Sequence, residues 1–141
     1  MDLTEVADAS HSVADLLEGI LDWSKIKMIL SYAPINHEID PTLFESRLKG
    51  KYPDIQIDHI IASPNASQPD KEYDVILVPC LAADTKRNRL GYGIGWYDDM
   101  LAKQKGKKIG LTYKFGLMYE LPVQDHDERL DMVVTPEQVV D

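Results

Sequence analysis

The most constraining feature of the sequence is a short run of apolar, mostly branched side chains, Tyr73–Pro79 (YDVILVP). A strand with one face in water alternates apolar and polar residues, whereas a strand covered on both faces reads as a continuous apolar run. Parallel sheets enclosed by helices contain strands of this second kind. The run therefore predicts a strand inside such a sheet.

Further helices and strands are predicted on both sides of this run. Apolar spacings of helical period, capping residues and glycine stops indicate helices at Ser12–Asp22, Pro41–Lys49 and Gly95–Gln104. Branched apolar runs indicate strands at Lys25–Tyr32, Ile55–Ala62, Lys108–Tyr113 and Met132–Thr135. The alternation predicts an α/β fold, in which residues 1–141 form a single three-layer domain with a mostly parallel sheet and helices on both faces.

Composition narrows the classes of partner. Hydrophobic residues make up 44% of the chain, which is enough to bury a core. The net charge of −9 disfavours nucleic-acid binding, because that depends on basic patches. No apolar run reaches the ~20 residues that cross a bilayer, and Met1–Asp22 lacks the basic region of a signal peptide. We therefore expect a cytoplasmic protein with neither a nucleic-acid nor a membrane partner.

The single cysteine, Cys80, carries little functional information. One thiol excludes an internal disulfide and a cysteine-based zinc site. Cys80 follows Pro79 at the end of the apolar run, a place typical of a small buried side chain, although a reactive thiol is the alternative.

The segment Asn88–Leu101 (NRLGYGIGWYDDML) carries the clearest functional signal. Glycines bring backbone N–H groups close to a ligand, and a helix N-terminus adds free donors and a positive dipole end, which together can cradle a phosphate. Arg89 could add a forked cation, and Asp98 a hard oxygen ligand for Mg²⁺. Three glycines alternate immediately before the predicted helix: Gly91, Gly93 and Gly95.

Such a glycine run has a plainer interpretation as a flexible turn. Its spacing differs from the dinucleotide-binding fingerprint, and it does not directly follow the strand. The Gly-Lys-Ser/Thr of the P-loop is also absent from the sequence. The glycines alone therefore leave a phosphate cradle and an ordinary turn as alternatives.

The longer motif resembles a known signature. Asn-Arg-Leu-Gly-x-Gly-x-Gly-aromatic-Tyr-Asp is similar to the signature of the 5-formyltetrahydrofolate cyclo-ligase family, also called methenyltetrahydrofolate synthetases. Flanking segments resemble that family in the same order and with similar spacing: Leu30-Ser31, Glu38-Ile39-Asp40, Tyr73–Asp84, Ile109–Thr112 and Leu121–Asp131 (LPVQDHDERLD). The resemblance is close over Tyr73–Thr135 and looser over Lys25–Gly50.

The resemblance implies a set of site residues. Arg89 would be the catalytic cation, and two acids would bind Mg²⁺: Asp98 and Asp127. The reduced folate would contact Leu30, Glu38, Tyr92 and Trp96, with Glu38 hydrogen-bonded to the pterin. The ATP loop would comprise Arg89, Leu90, Gly91, Tyr92, Gly93, Ile94, Gly95, Trp96 and Tyr97. Without the resemblance, Glu38 and Asp127 could be solvated acids, Trp96 could be core, and His126 is typical of a surface histidine.

The implied function is ATP-dependent cyclisation of 5-formyltetrahydrofolate to 5,10-methenyltetrahydrofolate by a monomer that uses Mg²⁺. Transfer of a phosphoryl group requires mainly that the protein position the reactants and stabilise charge, which these residue types can do. One alternative is a non-catalytic member that binds nucleotide or folate. Another is an enzyme of the related sugar-phosphate isomerase or CoA-transferase fold, which would need a base or nucleophile that the sequence does not nominate.

Two departures from the family pattern bear on turnover. Family members begin with a basic stretch that reaches the ATP phosphates, whereas neither Lys nor Arg precedes Lys25 here. The segment Ile60–Asp74, which in the family helps to form the folate site, is short. Lys86 and Arg87 are the candidates to replace the missing cations. We therefore expect slow cyclisation with ATP binding retained.

Overall fold

A computed structural model describes residues 2–35, 37–60, 67, 69–90, 96–118, 121 and 128–141. The strands of the main sheet are β1 (Met28–Tyr32), β2 (Gln56–Ile60), β3 (Val75–Pro79), β6 (Lys107–Leu111), β8 (Met132–Val134) and β9 (Val139–Val140). A second, small sheet contains β4 (Ala82–Asp84), β5 (Arg89–Leu90) and β7 (Leu117–Met118). The α-helices are α1 (Leu3–Glu18), α2 (Thr42–Lys51) and α3 (Trp96–Lys103), with 3₁₀ turns at Trp23–Lys25 and Lys114–Gly116.

The main sheet is predominantly parallel. Its strand order is β2-β1-β3-β6-β8-β9, and only the β8–β9 pair is antiparallel. Strand β3 lies between β1 and β6 and is buried at every residue. The predicted α/β class and mostly parallel sheet are therefore confirmed, because the continuous apolar run does occupy the middle of the sheet.

Alternate residues of β3 face two separate cores. Val75 and Leu77 pack in a cluster with side chains of α1 and α2 on one face of the sheet. Ile76 and Val78 pack in a second cluster with side chains of α3 on the other face. Helices therefore cover both faces, as predicted, and no helix among the described residues is long and apolar enough to span a bilayer.

Several predicted boundaries were wrong. Helix α1 begins at Leu3 instead of Ser12, because the Asp2 carboxylate caps it by accepting the N–H of Glu5 at 2.8 Å. Its first turns are largely exposed, so apolar periodicity could not reveal them. Helix α2 continues through Gly50 to Lys51. The region Cys80–Leu90, for which no strand was predicted, contains β4 and β5, which are too short to show any periodicity.

The turn between α3 and β6 lies very close to the backbone of the segment that precedes β3. A Cβ added at Gly106 would lie 2.1 Å from the carbonyl oxygen of Tyr73 and 2.9 Å from that of Asp74. The turn therefore packs directly on the backbone that leads into β3, and only glycine fits there. Gly50 provides a contrast, since a Cβ added there meets nothing within 4 Å.

We predict that Gly106→Ala lowers the free energy of unfolding by about 1–3 kcal/mol, the usual cost of overpacking. The matched variant Gly50→Ala lies in a helix with open space and should leave stability unchanged or raise it by up to ~1 kcal/mol. Urea unfolding followed by circular dichroism measures both. Equal stabilities for the two variants would contradict the packing described at Gly106.

Candidate functional site

The candidate site lies at the carboxyl edge of the main sheet. Strands β1, β3 and β6 are neighbours and parallel, so the loops that follow them meet at that edge. In open α/β sheets, ligands bind at this edge. The hydroxyl of Tyr113, after β6, donates to the carbonyl of His37, after β1, at 2.6 Å. Residues from separate parts of the sequence are thereby held together.

Glu38 is a half-buried carboxylate in the loop after β1. Its Oε1 accepts the N–H of Ile35 at 2.9 Å, while its own N–H donates to the Ile35 carbonyl at 3.0 Å. Burial raises the pKa of Glu38, and the hydrogen bond from Ile35 and the nearby charge of Arg89 only partly oppose this rise. A half-buried carboxylate with a raised pKa, at the edge where open α/β sheets bind ligands, is typical of a functional group.

Arg89 is more enclosed than a cation at the rim of a loop. Its side chain is 6% exposed, and its Nη2 donates to the carbonyl of Pro79, at the end of β3, at 3.2 Å. The guanidinium lies over the ring of Tyr97, 5.1 Å from the centroid. Its Nε is buried and has no hydrogen-bond partner among the described residues. The Arg89 side chain therefore holds one buried donor for which the described residues provide no acceptor.

Asp98 stands in the first turn of α3 with its side chain 52% exposed. Its Oδ1 lies 3.8 Å from Nη1 of Arg89, which is a loose ion pair. Among the described residues, no group of three His, Cys, Asp or Glu side chains could hold a metal ion. One exposed carboxylate still suits Mg²⁺, which is usually bound through one or two carboxylates together with substrate phosphates.

Two predicted substrate contacts are buried in the α3-side core. Leu30 is 1% exposed and Trp96 is 4% exposed, and both belong to the cluster that contains Ile76 and Val78. The ring of Trp96 packs edge-on against that of Tyr97, with centroids 5.2 Å apart. Leu90, in β5, is 50% exposed. Packing therefore accounts for Leu30 and Trp96 in the described structure, and their contact with substrate stays a prediction.

Other predicted residues lie outside the described ranges. Helix α3 begins at Trp96, directly after the glycine segment, so the predicted start of the helix near Gly95 is confirmed within a residue. Asp127 lies outside the described ranges, so the binding of one Mg²⁺ by Asp98 and Asp127 stays a prediction. The predicted residues outside the described ranges are Gly91, Tyr92, Gly93, Ile94, Gly95, His126 and Asp127.

The buried carboxylate of Asp84 organises the approach to Arg89. It accepts hydrogen bonds from the N–H groups of Lys86, Asn88 and Leu121 at 2.9, 2.9 and 2.8 Å, and from the Asn88 side-chain amide at 3.1 Å. Burial alone would raise the pKa of Asp84, but the hydrogen bonds outweigh it and hold the pKa below its usual range. The carboxylate thus fixes the turn between β4 and β5.

The turn before Arg89 also limits the role that we predicted for Arg87. Arg87 has a positive φ of 67°, and its Nε donates to the carbonyl of Leu130 at 3.1 Å. Leu130 returns a hydrogen bond from its N–H to the Arg87 carbonyl at 2.8 Å. Part of the Arg87 side chain therefore serves to join this turn to the segment before β8.

Two residues at this edge were not predicted from the sequence. They are Asp84 and Phe115, an exposed aromatic residue in the 3₁₀ turn after β6. An Asp followed within a few residues by Asn, directly after an apolar run, is the pattern of a side chain that accepts local backbone N–H groups. That signal could have identified Asp84. Phe115 offered no signal, because its exposure depends on the position of the 3₁₀ turn Lys114–Gly116.

The fold defines an α/β protein with a mostly parallel sheet, and its candidate ligand site lies at the carboxyl edge of that sheet. The sequence profile of the 5-formyltetrahydrofolate cyclo-ligase family matches residues 25–136. The matched range includes Glu38, Asp84, Arg89 and Asp98. The chain belongs to the 5-formyltetrahydrofolate cyclo-ligase family.

Individual relatives support this membership. The chain is 41% identical over 69 residues to a 5-formyltetrahydrofolate cyclo-ligase of Mycolicibacterium smegmatis, covering 48% of this chain and 36% of the relative. It is 31% identical over 108 residues to the Escherichia coli K12 enzyme of that name, covering 74% of this chain and 56% of the relative. The chain thus spans about half or less of the length of these curated relatives.

A solved structure supports the fold across nearly the whole chain. The NMR structure of Aquifex aeolicus 5,10-methenyltetrahydrofolate synthetase is similar with a TM-score of 0.77 and 26% sequence identity. The similarity covers 99% of this chain and 84% of the Aquifex chain. The main sheet and its helices therefore follow the arrangement of that protein.

We predict that Asp84→Asn lowers the free energy of unfolding by about 1.5–3 kcal/mol at neutral pH, the scale of hydrogen bonds to a charged group. The folded pKa of Asp84 lies below the unfolded value of ~3.9, so its stabilisation is present above that value. The stabilisation is lost as pH falls through the folded pKa, so the gap between wild type and variant should narrow on acidification.

Urea unfolding at a series of pH values from about 7 to about 3 measures this gap. The control is Asp8→Asn, an exposed position on α1, which should change stability by less than ~0.5 kcal/mol. A gap that is constant with pH, or equal for the two variants, would contradict the hydrogen-bonding role of Asp84.

Proposed function

We propose that this chain catalyses the ATP-dependent cyclisation of 5-formyltetrahydrofolate to 5,10-methenyltetrahydrofolate, with residues 1–141 acting as one ATP- and folate-binding unit. The observation that carries the proposal is the family match over residues 25–136. That range contains the loop of Glu38, the enclosed Arg89 and the start of α3, all of which lie at the edge where α/β folds bind ligands.

The reaction proceeds in two chemical steps. The formyl oxygen attacks the γ-phosphorus of ATP, which breaks the bond to the bridging oxygen and releases ADP. The N10 amine then attacks the activated formyl carbon and loses its proton, and the C–O bond breaks to release phosphate. These steps develop charge on phosphoryl oxygens, and positioned cations and backbone donors offset that charge.

The residues have distinct roles in this proposal. Glu38 binds the pterin through its half-buried carboxylate, and Leu30, Tyr92 and Trp96 border the substrate. The proposed ATP loop comprises Arg89, Leu90, Gly91, Tyr92, Gly93, Ile94, Gly95, Trp96 and Tyr97, and its backbone amides would bind the phosphates.

The metal would be held by Asp98 and Asp127 together with phosphate oxygens. The exposed carboxylate of Asp98, only loosely paired with Arg89, fits a hard divalent cation. When bound, Mg²⁺ neutralises part of the charge on the phosphate oxygens.

Arg89 is the residue on which the nucleotide half of the proposal depends. Its guanidinium is already ordered by the Pro79 carbonyl and the Tyr97 ring, so binding an anion costs little side-chain entropy. Its unpartnered Nε supports a role in contacting an oxygen of the ligand. The nearby carboxylates of Glu38 and Asp98 compete for its charge, so an arriving phosphate would replace the loose Asp98 contact.

The experiment that tests the function is an absorbance assay for methenyltetrahydrofolate with 5-formyltetrahydrofolate and ATP. We expect product that requires both substrates and Mg²⁺. Arg89→Lys should retain the fold but lose the forked geometry, and Arg89→Ala should weaken ATP binding by about 1.5–3 kcal/mol in isothermal titration. Folate binding measured without ATP controls for damage to the fold.

Three outcomes discriminate between the alternatives. Product formation that depends on Arg89 supports the cyclisation. Binding of ATP or folate without product at any protein concentration contradicts turnover and favours the non-catalytic binder. Unchanged ATP affinity in Arg89→Ala ends the role assigned to this residue, whatever the rate.

A further inference from the structure

The turn after β6 presents two stacked aromatic rings at the carboxyl edge. The rings of Tyr113 and Phe115, here called the aromatic platform, have centroids 5.1 Å apart and planes within 5° of parallel. The Phe115 side chain is 73% exposed. Since one of its faces is turned toward Tyr113, the other face is open to a further planar ring.

The platform is held in a fixed position. The Tyr113 hydroxyl donates to the carbonyl of His37 at 2.6 Å, and the N–H of Gly116 donates to the Tyr113 carbonyl at 2.9 Å. A Cβ at Gly116 would lie 2.4 Å from Oγ1 of Thr112, so the turn packs closely on the strand end. Because the rings are already held in place, a ligand that stacks here loses little binding free energy to ordering the site.

A lysine lies between these two aromatic residues in the sequence. Lys114 is exposed, and the described residues place no carboxylate within 4.0 Å of its Nζ. In a chain of net charge −9, an exposed lysine without an ion pair at the mouth of the site favours an anionic group there. The sequence Tyr113-Lys114-Phe115 thus offers a flat apolar surface with a positive charge beside it.

We propose that the aromatic platform binds the p-aminobenzoyl ring of the reduced folate, and that Lys114 attracts the carboxylates of its glutamate tail. The inference rests on the proposed function, in which Glu38 binds the pterin. His37 precedes Glu38 and touches Tyr113, so a ligand anchored at Glu38 has its next ring beside the platform. Ring stacking on an aromatic side chain and a flanking cation match these two parts of the molecule.

A truncation series of ligands tests the assignment. Isothermal titration without ATP would compare 5-formyltetrahydrofolate, 5-formyltetrahydropteroate, which lacks glutamate, and 5-formyltetrahydropterin, which lacks the ring as well. Phe115→Ala should weaken binding of the first two about tenfold and leave the third unchanged. Phe115→Tyr should keep wild-type affinity for all three, because the ring remains.

The charge is tested separately with matched lysines. Lys114→Ala should weaken only 5-formyltetrahydrofolate, by about threefold at low salt, and the effect should fade as salt screens it. Lys103→Ala removes an exposed lysine from the last turn of α3 and should change none of the affinities. Circular dichroism checks that every variant is folded.

The results that would overturn the proposal are distinct from those that would overturn the function. If wild type binds 5-formyltetrahydrofolate and Phe115→Ala binds it equally well, the platform is not the ring subsite while the proposed function stands. If Lys114→Ala weakens the pteroate as much as the folate, the tail assignment is wrong. If wild type binds no ligand of the series, the proposed function and this inference fail together.

Discussion

Strand β3 is buried on both faces, and this constraint determines where polar chemistry can occur. Its side chains fill the cores on either side of the sheet, so no polar group lies along it. Polar groups therefore begin where the strand ends. The carbonyl of Pro79 is the first acceptor at that end, and Arg89 binds it. The site follows from placing a wholly apolar strand in the middle of a parallel sheet.

Two enclosed charges then shape the carboxyl edge. The Asp84 carboxylate accepts backbone N–H groups from the turn between β4 and β5 and from Leu121, and that turn leads to Arg89, which donates to the Pro79 carbonyl. Buried charges are tolerated when hydrogen bonds satisfy them, and Asp84 is satisfied by the described residues. Among the described residues, Arg89 keeps an unpartnered Nε, and Glu38 is half-buried with a raised pKa. The Arg89 guanidinium and the Glu38 carboxylate are thus the groups expected to meet ligand.

The fold class could be predicted from the sequence because the residues of β3 themselves show that the strand is buried on both faces. The apolar run Tyr73–Pro79 predicted a two-sided strand, and the signature around Arg89 led to the family. Periodicity could not reveal β4 and β5, since two- and three-residue strands exist only through their partners. The enclosure of Arg89 and the exposure of Phe115 were equally invisible, because both depend on tertiary packing. A motif identifies a residue type, whereas its burial is decided by distant segments.

The proposed site requires that ligands bind at the carboxyl edge, between the loops that follow β1 and β6. Amide chemical-shift changes in an ¹⁵N-labelled sample titrated with 5-formyltetrahydrofolate, without ATP, test it most directly. We expect saturable shifts at Glu38, at Tyr113–Phe115 and at the start of α3, with Lys71 and Gly106 at the opposite edge unchanged. Shifts confined to the opposite edge, or none at saturating ligand, would contradict it.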